Sequence, residues 1–216
     1  MVTLAEDLYL LATDASTGRL LIDPTHLDLG LGGALLLDLV LQRRLALRDA
    51  HVTATDQGLT GDPLLDRTLA EIGDARPHEP GHWVRHLTHG LRRTVRDRLI
   101  ETAVLSRDDH RVLGVIPIHR THETDGRLHH ELEDHLHHAV VLGRPPSREA
   151  AALASLALAV NLEGHLFPRA DHRDVRRRMA QLVDTCPECE WVTDAVHRAV
   201  AAADVVLGIT PESPSG

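Results

Sequence analysis

The chain has 216 residues, of which 43% are hydrophobic and 25% charged, as in a globular domain that buries a full core without staples. Its formal net charge is −9 and only 2% of its residues are aromatic. We therefore expect no nucleic-acid binding, which usually needs a basic surplus and aromatic platforms for stacking bases. Apart from His, every basic residue is Arg, and Ala, Leu, Asp and Gly are abundant. This composition indicates a GC-rich, bacterial genome.

A long apolar segment near the N-terminus predicts a central helix. Residues Leu29 to Leu45 are apolar nearly all round, which is typical of a helix buried on every side. Three glycines at its start would let neighbouring chain approach closely: Gly30, Gly32 and Gly33. Before this segment, a capping box of Thr3 and Glu6 predicts a first helix from Leu4 to about Thr13. A short extended piece, Arg19 to Ile22, should join the two helices.

Turn and capping signals divide the rest of the chain into helices and small hairpins. Alternating residues from Leu45 to Thr55 predict a hairpin, and Asp62-Pro63 predicts a helix that ends near Gly73. The run Val112 to Ile118 is rich in β-formers, and the polar segment Arg120 to Gly126 should turn the chain. Further helices are predicted over Trp83–Leu87, Leu91–Val104, Leu128–Leu142, Arg148–Leu162, Asp171–Val183 and Trp191–Leu207. The expected fold class is all-α: one helical-bundle domain over residues 1–208 with one or two small β-hairpins, then a frayed tail over 209–216.

Two cysteines, Cys186 and Cys189, stand three positions apart between two predicted helices. This spacing is compatible with half a zinc site or with a redox pair. However, no second pair is present for a zinc ribbon, and a thioredoxin-type pair should follow a strand. The context therefore favours a plain loop between helices. Because the N-terminus carries no signal-peptide pattern either, we expect a cytoplasmic protein.

The predicted helix Leu128–Leu142 is rich in His and acidic residues. His130, Asp134 and His138 lie on one stripe at the spacing that can hold a divalent metal, and Glu131 with His135 forms a second stripe. The alternative is a solvated helix surface, which we favour because the chain contains 17 His and chance clusters are expected. We therefore predict neither a metal site nor a cofactor.

Catalytic motifs are missing from the sequence. It contains no Gly-x-Ser-x-Gly, and the glycines from Gly30 to Gly33 lack both the dinucleotide-binding spacing and a phosphate-binding Lys. We accordingly expect that the protein is not an enzyme. A metal-dependent enzyme built on the His-rich helix is the weakest of the functional hypotheses.

An arginine-rich segment from Leu91 to Leu99 is the best candidate for a binding site. Arg93 and Arg96 are one helical turn apart, so they should lie on one side of a helix. Two guanidinium groups at this spacing suit a phosphate, which accepts paired hydrogen bonds. Alternatively, the arginines belong to a solvated helix surface and pair with Asp97 or Glu101, and the pattern alone does not decide between these readings.

Several segments, in this order along the chain, resemble the Golgi phosphoprotein 3 family. They are Leu4–Leu11, Gly30–Leu45, Thr60–Asp66, Arg93–Leu99, Asn161–Pro168 and the Ala-rich C-terminal helix. The likeness covers nearly all of residues 1–208. It implies an all-helical fold with a protruding β-hairpin, which agrees with the elements predicted above.

The resemblance also implies a function. Eukaryotic members of the family are peripheral membrane proteins that bind phosphatidylinositol 4-phosphate and act as adaptors that retain glycosyltransferases in the Golgi. By this resemblance Arg93 and Arg96 would bind the headgroup, and a hairpin near Leu113 to Thr124 would meet the membrane. Where the family's pocket uses a Trp and a further Arg, ungapped matching places Asp23 and Gly32. An acid near such a pocket would repel a phosphate.

The leading hypothesis is therefore a peripheral membrane-binding, adaptor-like protein that recognises an anionic phospholipid headgroup such as phosphatidylinositol 4-phosphate. The alternative is a cytoplasmic scaffold or regulator that binds protein partners without lipid. The sequence leaves the formation of a homo-oligomer open.

Overall fold

The structure is a computed structural model that describes residues 2–112, 116–124 and 126–208, with side chains described outside 107–121. The predicted tail over 209–216 lies outside these residues. The described part is mostly helical and carries two small antiparallel hairpins, so the predicted fold class is confirmed.

Helices account for most of the described residues. They are α1 (Leu4–Leu11), α2 (Pro24–Leu41), α3 (Pro63–Asp74), α4 (Pro80–His86), α5 (Leu91–Glu101), α6 (Arg127–Val140), α7 (Arg148–Ala159), α8 (Glu163–Leu166), α9 (His172–Val183) and α10 (Glu190–Leu207). The strands are β1 (Leu45–Arg48), β2 (His51–Ala54), β3 (Leu105–Val112) and β4 (Ile116–Glu123). The short helix α8 was not predicted as a separate element.

Helix α2 is the central helix of the fold, as predicted, and α1, α4, α5, α7 and α10 pack around it. It begins at Pro24 rather than Leu29, because the Asp23 carboxylate accepts a hydrogen bond from the Thr25 amide (2.7 Å) and caps the helix. Within the described residues α2 alone is long and apolar enough to cross a membrane, but most of it is buried inside the protein. Burial of this kind is typical of a core helix.

Glycine lets two helices approach α2 closely. A Cβ atom on Gly32 would lie 2.5 Å from the carbonyl oxygen of Val84 in α4. One on Gly33 would lie 2.3 Å from Cγ2 of Val196 in α10. Both distances are shorter than real Cβ contacts allow, so a larger residue would push these helices apart. The prediction of close approach at these glycines is confirmed.

The first hairpin agrees with its prediction. Strands β1 and β2 are antiparallel, with Leu45 opposite Ala54 and Arg48 opposite His51. The two residues at its tip, Asp49 and Ala50, both have positive φ (49° and 63°), as a tight two-residue turn requires.

The second hairpin was only partly predicted. Strands β3 and β4 pair along their full length, from Leu105 opposite Glu123 to Val112 opposite Ile116. The prediction that Arg120 to Gly126 turns the chain is therefore wrong for its first four residues, which belong to β4. The hairpin also begins at Leu105, well before the range Leu113 to Thr124, whose first three residues lie outside the described part. Strand pairing across the hairpin overrides the polar character of β4, which sequence pattern alone reads as a turn.

The cysteines lie in the connection between α9 and α10, as predicted, but this connection is not the plain loop that was favoured, because a disulfide closes it. Cys186 and Cys189 are joined by a disulfide and are buried, and Pro187–Cys189 forms one turn of 3₁₀ helix. In this form neither sulfur is a free thiolate, which a zinc ligand has to be.

Candidate functional site

The arginine-rich segment forms α5, whose N-terminus is open. Gly90 precedes the helix in the left-handed conformation (φ 68°) and has no side chain with which to cap it. The first turn of a helix presents unsatisfied amide groups and the positive end of the helix dipole. Arg92 and Arg93 are both in this turn, so two guanidinium groups reinforce a terminus that already favours an anion.

An open cavity of about 650 Å³ lies beside this end of α5. Its polar and charged lining consists of Tyr9, Asp28, Thr88, Arg92, Arg93 and Arg96. Three guanidinium groups thus border one cavity, although the chain as a whole carries a net charge of −9. The structure brings the two predicted arginines together at this site.

Arg93 and Arg96 combine both interpretations that the sequence left open. The Arg93 side chain is 81% exposed and its Nε lies 3.5 Å from Oδ2 of Asp97. Arg96 is 35% exposed and donates two hydrogen bonds to Oδ1 of Asp97, from Nε (3.2 Å) and Nη2 (3.0 Å). The hydrogen bond from Arg96 holds the pKa of Asp97 below its usual value. One carboxylate therefore serves two arginines, and both arginine side chains remain at least partly exposed to solvent.

Four of the polar and charged lining residues were not predicted: Tyr9, Asp28, Thr88 and Arg92. Nε of Arg92 lies 3.4 Å from Oδ1 of Asp28, and Nη1 of Arg92 lies 3.5 Å from the Pro24 carbonyl oxygen. Burial raises the pKa of Asp28, whereas Arg92 lowers it. Tyr9 is buried, which raises the pKa of its hydroxyl, and the nearby Arg96 and Arg92 lower it. The spacing of Arg92 and Arg96, four residues apart on one helix, was the available sequence signal. No comparable signal marks Asp28 or Tyr9, because α1 and α2 reach the cavity through tertiary packing.

The positions expected to weaken the pocket have other roles. Asp23 caps α2, and Gly32 packs against the Val84 carbonyl of α4; neither belongs to the lining of this cavity in the described residues. The acid that does line the cavity is Asp28, and Arg92 partly neutralises it. The third guanidinium group of the cavity is that of Arg92, which belongs to α5 and not to α2.

Arg98, the last arginine of the segment, points away from the cavity. Its Nε donates to Oε1 of Glu6 (3.1 Å) and its Nη1 to Oδ1 of Asp62 (3.0 Å). Nη2 also pairs with the Asp62 carboxylate. Glu6 completes the capping box of α1 with Thr3, and Asp62 caps α3. Arg98 therefore ties the N-termini of two helices to α5.

The His-rich helix α6 does not assemble a metal site within the described residues. No group of three or more His, Cys, Asp or Glu side chains lies close enough there to hold a metal ion. His130 is exposed, and Nδ1 of His138 is hydrogen bonded to the Asp134 carbonyl oxygen (2.7 Å). The buried member is His129, whose Nδ1 lies 2.8 Å from Oε1 of Glu123. This contact raises the pKa of His129 and joins α6 to β4.

The fold and the cavity together define a mostly helical protein with an open, arginine-lined cavity at the N-terminus of one helix. A sequence model of the Golgi phosphoprotein 3 (GPP34) family matches residues 4–203. The chain belongs to this family, which confirms the resemblance drawn from its segments. No curated protein sequence matches the chain.

Proposed function

We propose that the protein is a peripheral membrane-binding, adaptor-like protein whose arginine-lined cavity binds the phosphate of an anionic phospholipid headgroup, such as phosphatidylinositol 4-phosphate. The observation that carries the proposal is that Arg92, Arg93 and Arg96 border one open cavity at an uncapped helix N-terminus. Family membership supports the same role. In this role the cavity binds its ligand and carries out no chemical step.

The charges of the cavity support a phosphate ligand. Its three arginines pair with two carboxylates, Asp28 and Asp97, which leaves one positive charge among these five groups, although Asp23 outside the lining is near enough to raise the pKa of Asp28. A phosphate accepts several charge-assisted hydrogen bonds, for which guanidinium forks are the best protein donors. The exposed Arg93 can reach a headgroup at the bilayer surface, and Arg96 can hold the phosphate deeper in the cavity.

Liposome flotation tests the proposal. Wild-type protein and an Arg93→Ala/Arg96→Ala variant are mixed with phosphatidylcholine vesicles with and without phosphatidylinositol 4-phosphate, at low and moderate salt. We expect wild-type flotation that depends on the lipid and weakens with salt. Binding by the variant should be roughly tenfold weaker or worse, because hydrogen bonds to charged groups are the strong ones.

An Arg177→Ala/Arg198→Ala variant is the matched control. Both residues are exposed, and each pairs with an acid one turn away, as Arg93 does: Arg177 with Asp174 (2.7 Å) and Arg198 with Asp194 (3.0 Å). It removes the same charge from elsewhere on the surface. If both double variants lose flotation equally, a general charge effect explains the result and the cavity proposal fails.

A scaffold that binds protein partners is the second candidate. It is favoured by the end of α10, where Val205, Val206 and Leu207 are all exposed although apolar. Such residues are more typical of a contact surface than of a helix end in water. Replacing all three by Ser should then abolish capture of a partner by the purified protein. A partner captured equally well by the variant would exclude this surface.

A further inference from the structure

A second open cavity, of about 640 Å³, lies between α1, α6 and α7 and shares no lining residue with the arginine-lined cavity. Its floor, meaning the buried part of its lining, is apolar: Leu132, Leu136 and Ala139 come from α6 and Leu153 comes from α7. Exposed side chains of α6 and of the connection from α6 to α7 form its mouth. An apolar cavity of this size with a few polar groups is the usual form of a small-molecule binding site.

One carboxyl group, that of Asp7 in α1, lines this cavity together with the apolar side chains. No described residue donates a hydrogen bond to the Asp7 side chain or forms an ion pair with it. Burial and the neighbouring Glu6 raise the pKa of Asp7 to about 7, so the carboxyl is ionised in about half of the molecules at neutral pH. Within the described part of the chain, the ionised form of Asp7 thus borders the cavity without a partner.

The charges that act on Asp7 in the described part of the chain are those of acids. Glu6 precedes it on α1, and Asp38 of α2 lies close enough for the charges of Asp7 and Asp38 to interact. The guanidinium group that pairs with Glu6 (3.1 Å) is that of Arg98, which Asp62 shares. A cation that enters the cavity is therefore attracted to Asp7.

Two exposed groups of opposite charge, Arg144 and Glu149, also line the cavity. Neither is among the groups that shift the pKa of Asp7, so neither is close enough to neutralise it. A partner for the ionised Asp7 therefore has to come from a ligand. A bare metal ion does not fit, because Ca²⁺ and Mg²⁺ take many oxygen ligands. Within the described residues, no group of three acids, histidines or cysteines is close enough to hold one.

We propose that the cavity between α1, α6 and α7 is a second binding site, which takes a small organic amine: the ammonium group of the ligand pairs with Asp7 while its apolar chain covers the floor. An ammonium group only donates hydrogen bonds and an ionised carboxylate only accepts them, so the two groups are complementary. The inference does not depend on the proposed function, because the two cavities have no lining residue in common.

Isothermal titration calorimetry at pH 8 tests the proposal by measuring the binding of ethyl-, butyl- and hexylammonium to the purified protein. Hexanol, which lacks the charge, and hexanoate, which reverses it, are the matched probes. Wild type is compared with Asp7→Asn, which keeps the shape of the side chain and removes its charge. The control variant is Asp38→Asn, because Asp38 is a neighbouring acid that does not line the cavity.

We expect the affinity of wild type to increase with chain length, because each further methylene group buries more apolar surface on the floor. Asp7→Asn should weaken hexylammonium binding by roughly tenfold or more, the scale of a hydrogen bond to a charged group. Asp38→Asn should leave this binding unchanged. Hexanol should bind wild type no better than hexylammonium binds Asp7→Asn, and hexanoate should not bind.

The pH dependence gives a readout that a purely structural role of Asp7 would not produce. Hexylammonium stays charged between pH 6 and pH 8, whereas Asp7 must lose its proton to pair with it. The affinity of wild type should therefore rise roughly tenfold over this range, since the pKa of Asp7 is about 7. Protonation of His135 and His138, which also line the cavity, opposes a cation at low pH as well. The difference between wild type and Asp7→Asn isolates the contribution of Asp7.

Several results would overturn the inference. If wild type binds none of the amines, or binds hexanol as tightly as hexylammonium, the cavity has no ammonium site. If Asp7→Asn binds hexylammonium as tightly as wild type does, Asp7 is not the partner of the ammonium group. If Nα-acetyl-lysine amide binds more tightly than hexylammonium, the site takes a lysine side chain of a partner protein and not a small amine. Circular dichroism and thermal unfolding of each variant establish that it is folded.

Discussion

The two ends of α5 place arginines of one short segment in opposite environments. At the N-terminal end, three guanidinium groups face two carboxylates beside an open cavity. At the other end Arg98 pairs with the carboxylates of Glu6 and Asp62, and two further acids, Asp7 and Asp38, lie near this pair of carboxylates in a mostly buried region. A net positive charge at an accessible site suits the binding of an anion. An arginine that is paired with carboxylates from two other helices suits the joining of those helices.

The largest effect is expected at the buried end. Arg98→Ala should lower the free energy of unfolding by about 3 kcal/mol, because removal of one partner leaves the buried carboxylates of Glu6 and Asp62 uncompensated. It also detaches α5 from the caps of α1 and α3. Urea unfolding followed by circular dichroism measures the change.

The comparison predicts that this loss is confined to stability. At a temperature where the Arg98→Ala variant is still folded, its vesicle binding per folded molecule should equal that of wild type. A variant that unfolds normally but no longer floats would place Arg98 in the binding site and remove the distinction between the two ends.

A smaller effect is expected from the surplus acid. Burial, together with the nearby Asp7, Asp62 and Glu6, raises the pKa of Asp38 to about 8 from 3.8. The folded protein therefore holds a proton on Asp38 between about pH 4 and pH 8 that the unfolded chain releases. The free energy of unfolding consequently falls as pH rises through this window, by up to about 1.4 kcal/mol per pH unit.

Asp38→Asn should remove the part of this dependence that Asp38 contributes, while the part contributed by Asp7, whose pKa burial raises to about 7, remains. The substitution should stabilise the protein by at least about 1 kcal/mol at pH 7. The amide oxygen of Asn can still accept the hydrogen bond that the Leu4 amide donates to Asp38 (3.0 Å). Urea unfolding at several pH values between 5 and 9 measures the gain, which should grow up to about pH 8 and level off above it. A constant difference across this range would show that Asp38 is not protonated in the folded state.

The sequence predicted features that local chemistry dictates. The capping box of Thr3 and Glu6, the cap at Asp62 and the apolar run of α2 all depend on neighbours within a few residues, and all are confirmed. The spacing of Arg93 and Arg96 likewise predicted that they share one side of a helix. Their position at a common cavity follows from that spacing once the helix has an open N-terminus.

Features that depend on distant segments were missed. Asp28 and Tyr9 reach the cavity only because α1 and α2 pack against α5, and the pattern of α2 does not single out Asp28 from the other acids of the chain. The extent of β3 and β4 is likewise set by pairing between strands, which overrides local polarity. Which arginines of α5 line the cavity and which join helices also depends on distant segments, because Arg98 pairs with Glu6 and Asp62.

The smallest effect on stability is expected at the open end. Arg93→Ala/Arg96→Ala should change the free energy of unfolding by no more than about 0.5 kcal/mol, because partly exposed ion pairs contribute little and the Asp97 side chain is itself partly exposed to water. Urea unfolding beside Arg98→Ala makes the comparison within one helix. A loss as large as that of Arg98→Ala would mean that both ends of α5 are structural, and weak flotation of the double variant would then report unfolding. Unchanged stability together with lost flotation would instead show that the two ends of α5 have different functions. Arg93 and Arg96 would then be needed for binding and not for folding, whereas Arg98 is needed for folding.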